Sequence, residues 1–582
     1  MRLSSYIPIL EWLPTYSKAQ FRGDLPAGLT AGVLLIPQSI AFAMIAGVPP
    51  IYGLYASTVP MILYAIFGTS RQLSVGPVSI VSLLTFASVS ALAQPESWEY
   101  IQLTIMLSLV VGLIQIVVGI FQLGFLVNFL SHPVISGFTS ASAVIIATGQ
   151  IKHLLGISLE KEAYVYQVFG NIFSQLNQIN IYALIIGIGS IVLISLLRKL
   201  HKSIPAPLVI VMLSILITWG LRLPLHGVKI VGYIPAGLPK LVVPPSDWTD
   251  IRKLLPSAFI IAIVSFVESI AIAKTMQVRH KDYKVRPNQE LFALGIAKIG
   301  AAFFQAFPTT GGFSRTAVNE QAGAKTGMAA IISSLLIFIT LLFLTPLFYY
   351  LPNAALGAII IVAVWRLIDF KEARYLLKSD VADFIMMLVT FLGTLFIGVE
   401  EGIGIGVALS LIVMVYRSTR PHLAVLGRIP GTGFYKNINR FENLEVRPDL
   451  LLLRFDAQLY FANISFFENK LEQLVLQKGA ALKAIILNAE SINRIDSSAI
   501  HSLEDLNTSY KERGIEFYFT NVQGPVRDMI TRANFVQKIG SAHFFFNVPE
   551  AIDYLDSKDT KKELERYTLQ TNVRTTNREE TN

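Results

Sequence analysis

The residues with the clearest chemical potential lie at positions 305–319, which read Gln-Ala-Phe-Pro-Thr-Thr-Gly-Gly-Phe-Ser-Arg-Thr-Ala-Val-Asn and interrupt an apolar run. A Pro/Gly break frees backbone N–H groups that lipid cannot satisfy, so it survives only where protein encloses a cavity. A helix that restarts near Phe313 would present its first N–H groups and the positive end of its dipole to that cavity, beside Ser314 and Arg315. This stretch therefore predicts an anion-binding site.

A second stretch has the same character. Residues 68–79 read Gly-Thr-Ser-Arg-Gln-Leu-Ser-Val-Gly-Pro-Val-Ser and lead into the apolar segment 77–92. Pro77 suits the first position of a helix, where its missing N–H costs nothing, so the free N–H groups of Val78 and Ser79 would point inward. Together the two stretches predict two helix N-termini that face one cavity.

Three isolated charges lie inside apolar segments. Charges at the bilayer centre are costly, so Arg315 is functional by default rather than a structural partner or an interfacial residue. Glu268 is the clearest intramembrane carboxylate, and it is either a proton-coupling group or one half of a fixed salt bridge to Arg315 or Lys298. The role of Lys298 is open, although a second cation near Glu268 would repel sodium and favour proton coupling or exchange.

The composition indicates a polytopic membrane protein. Of 582 residues, 53% are hydrophobic and 15% charged, and the mean hydropathy is +0.56. The net charge of +9 comes mostly from bases beside apolar runs, which membrane topology explains better than nucleic-acid binding does. The chain has no cysteine, and its sequence shows no metal-ligand spacing, nucleophile–base set or Walker loop. We therefore expect no enzyme activity, no catalytic residue, no metal and no cofactor.

About fourteen transmembrane segments can be drawn, and halving the membrane part near residue 250 gives seven in each half. An odd number per half makes the second half enter the membrane with the opposite polarity, so we predict a 7+7 inverted repeat. The segments that follow the two Pro/Gly stretches are both third in their half, and both are short for a full span. The fourteen ranges are 27–46, 51–67, 77–92, 100–122, 134–150, 180–197, 205–221, 256–273, 289–307, 312–322, 328–345, 354–368, 381–397 and 402–416.

The basic residues orient the chain. With a cytoplasmic N-terminus, the outside connections 93–99, 346–353 and 398–401 carry no Lys or Arg, as the positive-inside rule requires. The loop 222–255 is an exception, and long loops obey the rule poorly. The cytoplasmic bases are Arg198, Lys199, Lys202, Lys274, Arg279, Lys281, Lys284, Arg286, Arg366, Lys371, Arg374 and Lys378.

Charged residues become frequent after Arg417, where a soluble domain is expected to begin. Residues 450–455, 484–488 and 515–520 read as buried parallel strands, and 464–478, 497–513 and 524–533 as crossover helices, which predicts a small cytoplasmic α/β unit. The expected domains are a cytoplasmic segment 1–25, a transmembrane domain 26–417, the α/β domain 430–556 and a disordered tail 557–582. Both termini are expected in the cytoplasm, with the protein in the cell (inner) membrane.

Several motifs carry a family resemblance. Residues 36–44 (Ile-Pro-Gln-Ser-Ile-Ala-Phe-Ala-Met), 48–55 (Val-Pro-Pro-Ile-Tyr-Gly-Leu-Tyr) and 68–77 resemble the sulfate permease family of anion transporters and exchangers. Residues 455–463 and 495–498 resemble the STAS domain of that family. The resemblance covers nearly the whole chain. It implies core and gate domains, a homodimer and elevator-like movement of the core.

The resemblance also implies site residues. It places the anion between the third and tenth segments, close to Gln38 and Phe42, the backbone of Gly76, Pro77 and Val78, and Ser314 with Arg315. It associates the position of Glu268 with ion coupling. From the residues alone, Gln38 and Phe42 are as well explained by packing. Related STAS-like domains are phosphorylated at the position of Ser497, although Asp496 before it is first of all a helix N-cap.

The expected function is secondary active transport of an inorganic oxyanion, with sulfate first, bicarbonate second, and dicarboxylate or chloride also open. The coupling ion is a proton or sodium, with anion exchange as the other mode; the remaining partner is membrane lipid, and no nucleic acid is expected. An alternative from another class is a membrane-anchored anion sensor that acts through the STAS-like domain. A nucleobase carrier on the same architecture is disfavoured by Arg315 and the STAS-like tail.

Overall fold

The computed structural model describes residues 6–124, 131–157, 165–200, 206–244 and 247–557. The chain forms two compact units, Met1–Leu411 and Ile412–Asn582. The predicted disordered tail lies almost wholly outside the described residues.

The first half of the membrane unit is helical apart from one short strand, β1 (Val75–Gly76). Its helices are α1 (Ile9–Trp12), α2 (Lys18–Ala46), α3 (Pro50–Tyr55), α4 (Val59–Phe67), α5 (Ser79–Ser90), α6 (Trp98–Ile120), α7 (His132–Leu155), α8 (Val165–Ser174), α9 (Ile181–Leu200) and α10 (Ala206–Gly220).

The second half repeats this pattern around strand β2 (Thr310–Gly311). Its helices are α11 (Trp248–His280), α12 (Pro287–Phe303), α13 (Phe313–Gln321), α14 (Met328–Ile339), α15 (Asn353–Val364), α16 (Phe370–Ser379), α17 (Val381–Phe396) and α18 (Val399–Thr419). A π-helical turn, Thr340–Leu344, and a 3-10 turn, Thr345–Phe348, extend α14. Each of the fourteen predicted segments overlaps a helix, whereas α1, α8 and α16 were not predicted.

The packing has the symmetry of an inverted repeat. Helix α2 packs on α14, and its counterpart α11 packs on α6, the counterpart of α14. The equivalent strands β1 and β2 pair antiparallel, as expected for segments related by a two-fold axis in the membrane plane. Eight described helices or helix pairs are long and apolar enough to cross a bilayer, and four shorter apolar helices accompany them.

The membrane helices form two groups, which we call the core and the gate. The core contains α2 to α6 and α11 to α14, which pack on one another through pairs such as α6 with α12 and α4 with α12. The gate contains α7, α9, α10, α15, α17 and α18, where α7 contacts α15 and α17. Gly402 and Gly406 bring α18 close to Thr394 and Thr390 of α17.

The second unit is built on a six-stranded mixed sheet in the order β4-β3-β5-β6-β7-β8. The predicted strands β5 (Leu450–Phe455), β6 (Ala484–Asn488) and β7 (Glu516–Thr520) pair parallel to one another. The antiparallel strands β3 (Leu423–Arg428) and β4 (Tyr435–Asn437), and the short edge strand β8 (Phe544–Phe545), were not predicted. The helices are α19 (Ile464–Lys478), α20 (Ser497–Glu512), α21 (Gly524–Arg532), α22 (Phe535–Ile539) and α23 (Val548–Asp556).

The prediction that Pro77 opens a helix is wrong. Helix α5 begins at Ser79, and its N-cap residue Val78 is still extended, with φ −138° and ψ 146°. The chain stays extended because Val75 and Gly76 pair with β2 before the helix can start. By contrast, α13 does begin at Phe313, as the Pro/Gly break predicts.

Candidate functional site

The two Pro/Gly stretches meet at the centre of the core. Val75 pairs with Gly311 and Gly76 with Thr310, and the Gly312 N–H donates to Ser74 O at 3.0 Å. These bonds satisfy the extended backbone, which membrane lipid cannot do. Immediately beyond the pairing, one chain enters α5 and the other enters α13.

Both helix starts keep free N–H groups. Neither the N-cap residue of α5 nor that of α13 offers a side-chain hydrogen bond in the described structure. Both helices are short, twelve and nine residues, so each spans only part of the bilayer, about 18 and 13 Å. Two uncapped N-termini beside one strand pair form a local anion-attracting field.

Arg315 is the charged group of this site. Its side chain is 2% exposed, and Nη1 donates to the carbonyl of Pro77 across the repeat interface. Its Nε and Nη2 have no hydrogen-bond partner among the described residues. A buried guanidinium with two unused donors is costly unless a ligand occupies them, so these two donors are available to an acceptor-rich group.

Two glycines make room for the guanidinium. A Cβ on Gly312 would lie 2.8 Å from Arg315 Nη2 and 2.9 Å from Cζ, and a Cβ on Gly76 would lie 3.4 Å from Nη2. Any side chain at Gly312 would therefore displace Arg315, whereas alanine at Gly76 would fit with a small adjustment. The guanidinium therefore lies close to the backbone of both repeats, at Gly76 and at Gly312.

The other site residues predicted from the sequence differ in how directly the structure associates them with Arg315 and the two helix starts. Pro77 contacts Arg315 directly, and Val78 is the N-cap residue of α5. Ser314 follows the first residue of α13 and is exposed. Gln38 and Phe42 lie on α2, which packs against both α5 and α13. Within the described part of the chain, the Gln38 side chain makes no hydrogen bond, and Phe42 belongs to the hydrophobic core.

Glu268 is not fixed in a salt bridge. In the described structure no ion pair within 4.0 Å joins it to Arg315 or to Lys298, and its Oε2 atom has no hydrogen-bond partner. Glu268 and Arg315 do interact electrostatically across the core. The salt-bridge alternative is therefore not observed, and the carboxylate is left free to respond to a ligand on Arg315.

Ser269 and Thr310, which sequence reasoning missed, connect α11 near Glu268 to β2. Ser269 Oγ lies 2.8 Å from Thr310 Oγ1 and accepts from the Gly311 N–H at 2.9 Å, and Thr310 Oγ1 donates to Ser265 O at 2.7 Å. The Ser265 carbonyl and the Ser269 hydroxyl, on either side of Glu268 in α11, therefore hold β2, the strand that precedes Arg315. Thr310 was visible within the Pro/Gly break, but nothing in the sequence pairs it with α11.

Lys298 joins the same network from the far side. Its side chain is fully buried and Nζ donates to Gln115 Oε1 at 2.9 Å. Gln115 Nε2 in turn donates to Ala262 O at 2.8 Å and to Ser265 Oγ at 3.0 Å. Lys298 forms no ion pair with any described residue, so its partner is a neutral amide rather than Glu268.

Other buried carboxylates serve the framework. Glu290 accepts from the Tyr64 hydroxyl at 2.6 Å and the Thr69 N–H at 2.7 Å, which ties α12 to the end of α4. Asp24 accepts from the Thr326 N–H at 3.0 Å and so ties α2 to the start of α14. Their acceptor atoms are occupied by protein donors, in contrast to Glu268.

In the α/β unit, Asp496 is the N-cap of α20, as predicted. Its Oδ1 accepts from the Ala499 N–H at 2.9 Å, and its Oδ2 accepts from the Phe461 N–H at 2.9 Å. The adjacent Ser497 is exposed. Phosphorylation of Ser497 stays a prediction.

Comparison with protein families gives two matches. Residues 21–390 match the sulfate permease family, and residues 443–551 match the STAS domain. The family match covers more than half of the chain, and its range holds both helix starts and Arg315. The two family ranges do not test the exact domain boundaries predicted above.

Individual relatives agree with these matches. The chain is 38% identical over 568 residues to "Probable sulfate transporter 4.2" of Arabidopsis thaliana, covering 94% of this chain and 83% of the relative. It is also 38% identical over 574 residues to "Sulfate transporter 4.1, chloroplastic" of the same plant, covering 95% and 83%.

Solved structures share the architecture. The inward-facing structure of the murine Solute Carrier 26 family member A9 anion transporter superposes with a TM-score of 0.87 at 26% identity, covering 95% of this chain and 94% of that one. The transmembrane domain of the cyanobacterial bicarbonate transporter BicA, at 22% identity and a TM-score of 0.59, shares the fold over 68% of this chain. The chain belongs to the sulfate permease family, as an integral, multi-pass anion transporter with a C-terminal STAS domain.

Proposed function

We propose that the protein is a secondary active transporter of sulfate, and that the anion binds between the starts of α5 and α13 on the free donors of Arg315. The observation that carries this proposal is the buried guanidinium whose Nε and Nη2 have no partner among the described residues. A planar guanidinium with two free N–H directions suits an oxyanion, which can accept both in parallel. The names of the 38%-identical relatives support sulfate as the oxyanion.

Charge balance supports cation coupling through Glu268. Arg315 and Lys298 contribute two formal positive charges and Glu268 one negative charge, so the empty site has one net positive charge. An entering divalent anion leaves it with one net negative charge. A proton taken up by Glu268 then brings the site to neutrality, which avoids a net charge in a poorly polarisable interior. Sodium gives the same sum, but Ser265 and Ser269 beside Glu268 are already engaged with Gln115 and the Gly311 N–H. The proton is therefore the favoured coupling ion.

The core is proposed to carry the site past the gate in an elevator-like movement. The β1–β2 pairing and the bond from Arg315 to Pro77 tie both helix starts together, so the site can move as one body. A homodimer is proposed on the resemblance alone and is checked by the mass of the solubilised particle. The cytoplasmic position of both termini is proposed from the distribution of Lys and Arg, and the cell membrane as the location stays a prediction.

Reconstitution of the intact chain tests the proposal. Uptake of labelled sulfate and labelled bicarbonate into proteoliposomes is measured under separate proton, sodium and voltage gradients. We expect sulfate uptake that an inward proton gradient accelerates. Preferential bicarbonate uptake would change the substrate, acceleration by sodium alone would change the coupling ion, and the absence of uptake of either anion would favour an anion-sensing regulator.

A further inference from the structure

A carboxylate outside the site links the gate to the core. Glu400 is the second residue of α18, and its Oε1 accepts from Ser88 Oγ at 2.7 Å while its Oε2 accepts from Ser257 Oγ at 2.7 Å. Ser88 lies near the end of α5 and Ser257 near the start of α11, and both serines are buried, at 7% and 6% exposed. We call these three residues the outer bridge.

The outer bridge lies on the outer side of the membrane unit, in the orientation that the basic residues favour. Glu400 belongs to the connection 398–401, which carries no Lys or Arg. Helix α5 starts at the anion site and rises about 1.5 Å per residue, so Ser88 lies about 13 Å beyond that start. The outer bridge therefore lies on the side of the site that faces away from the cytoplasm.

The outer bridge contacts the two core helices that hold the proposed site. Helix α5 supplies one of the uncapped N-termini, and α11 carries Glu268. The gate partner α18 is packed closely on α17 through Gly402 and Gly406. Any shift of α5 and α11 relative to α18 must break both hydrogen bonds at once.

The bridge differs from the surrounding contacts in being directional. Helix α2 meets α10 and α15 of the gate through residues of one hydrophobic cluster, and apolar surfaces of this kind can slide. Hydrogen bonds to a carboxylate weaken steeply with distance and angle. The outer bridge therefore favours one position of the core over others, whereas the apolar contacts do not.

The hydrogen bonds of the outer bridge can break without leaving Ser88 or Glu400 unsatisfied. Ser88 Oγ lies 2.6 Å from Leu84 O of its own helix, and a hydroxyl carries only one hydrogen. When Glu400 withdraws, Ser88 can donate to Leu84 instead, so this donor is not stranded in the protein interior. Glu400 itself is only half-buried and can be hydrated on the outer side.

From this geometry we infer that Glu400 is a positioning residue of the transport cycle: with Ser88 and Ser257 it latches the core to the gate and holds the outer path closed. The inference rests on the proposed movement of the core. It predicts that weakening the outer bridge shifts the population toward an outward-open state. The inward-facing state named for the murine relative fits the closed bridge.

Cysteine accessibility tests the latch, because the chain has no cysteine of its own. Ser314→Cys places one thiol at the site, and its labelling by a membrane-impermeant methanethiosulfonate added from outside is followed over time in anion-free buffer. In this background Glu400→Ala should raise the labelling rate about five- to tenfold. This is less than the loss of two fully buried charge-assisted hydrogen bonds would give, because Glu400 is only half-buried and Ser88 can donate to Leu84 O instead. Glu401→Ala removes an equal charge from the next, exposed residue and is the matched control.

A Glu400→Ala rate more than threefold above the Glu401→Ala rate supports the latch, and a smaller ratio overturns it. Ser257→Ala removes one bond with a minimal change, so it is judged by the same threshold if Glu400→Ala does not fold. Labelling does not depend on which anion is carried. Sulfate uptake is measured on the chain without Ser314→Cys, because Ser314 belongs to the predicted site. If labelling shifts while this chain takes up no sulfate, the proposed substrate fails and the latch stands; if its uptake is normal and labelling is unchanged, the latch fails and the proposed substrate stands.

Discussion

Replacement of Arg315 gives the sharpest test of the proposed site. Its two free donors, Nε and Nη2, define what a bound oxyanion can gain. A charge-assisted hydrogen bond contributes about 1.5–3 kcal/mol, so Arg315→Ala should remove about 3–6 kcal/mol of anion binding, roughly 10²- to 10⁴-fold. Arg315→Lys keeps the charge but not the planar fork, so a loss of roughly 10- to 100-fold is expected.

The assay must separate binding from folding, because Arg315 also bonds to Pro77. Sulfate uptake into proteoliposomes reports transport, and the thermal midpoint of purified protein with and without sulfate reports binding. A ligand at about 100 times its dissociation constant stabilises the folded state by about 2.7 kcal/mol, and Arg315→Ala should lose that increment. Arg71→Ala, which removes a cation paired with Asp282 elsewhere in the core, is the control and should keep it.

One result would exclude Arg315 as the residue that holds the anion. If Arg315→Ala protein elutes as a folded particle, takes up sulfate at the unmodified rate and is still stabilised by sulfate, the guanidinium does not hold the anion. A folded variant that binds sulfate but does not transport it would move the role of Arg315 from binding to the movement of the core.

Three further predictions follow from other contacts. Gly312→Ala should lower sulfate uptake at least tenfold, because its Cβ would lie 2.8 Å from Arg315 Nη2, whereas Gly76→Ala, at 3.4 Å, should lower it less than threefold; equal losses would contradict the geometry. Glu268→Gln should abolish the acceleration of uptake by a proton gradient, with Glu401→Gln as control, and persistence of that acceleration would place coupling elsewhere. In the STAS domain, hydrogen bonds from Arg447 lower the pKa of Asp449. The stability that Asp449 gains from Arg447 is therefore present above the pKa of Asp449 in the unfolded chain, about 4, and is lost as the pH falls through its lower pKa in the folded domain. Hydrogen exchange of β5, corrected for its intrinsic pH dependence, should therefore accelerate in acid less for Asp449→Asn than for the parent protein.

Hydropathy was sufficient to find the membrane helices because long apolar runs have few alternatives in a bilayer. It also located the break before Phe313, since Pro308 and the paired glycines cannot continue a helix. It failed at Pro77, where a tertiary pairing with β2 keeps the chain extended past the expected helix start. Strands β3 and β4 were missed because their partly exposed residues carry a weak alternating pattern.

The polar network of the site was beyond sequence reasoning. Lys298 and Gln115 are 183 positions apart, and Ser269 and Thr310 are 41 apart, so no local pattern pairs them. Arg315 and Glu268 were identifiable as charges in apolar segments. Only the structure distinguishes Glu268 from Glu290. Oε2 of Glu268 has no hydrogen-bond partner among the described residues, whereas the oxygens of Glu290 accept from Tyr64 and Thr69.

The pairing of β1 with β2 has a consequence for how the protein is made. Arg315 and its partner Pro77 are 238 positions apart, so the first strand is synthesised long before anything can pair with it. At about 5–20 residues per second, that interval is roughly 10 to 50 seconds, during which an extended polar backbone waits at membrane depth. The first half of the protein must therefore be held by the insertion machinery or kept near water until the tenth segment arrives. Substitutions that delay α13 should then appear first as degraded protein rather than as inactive transporter.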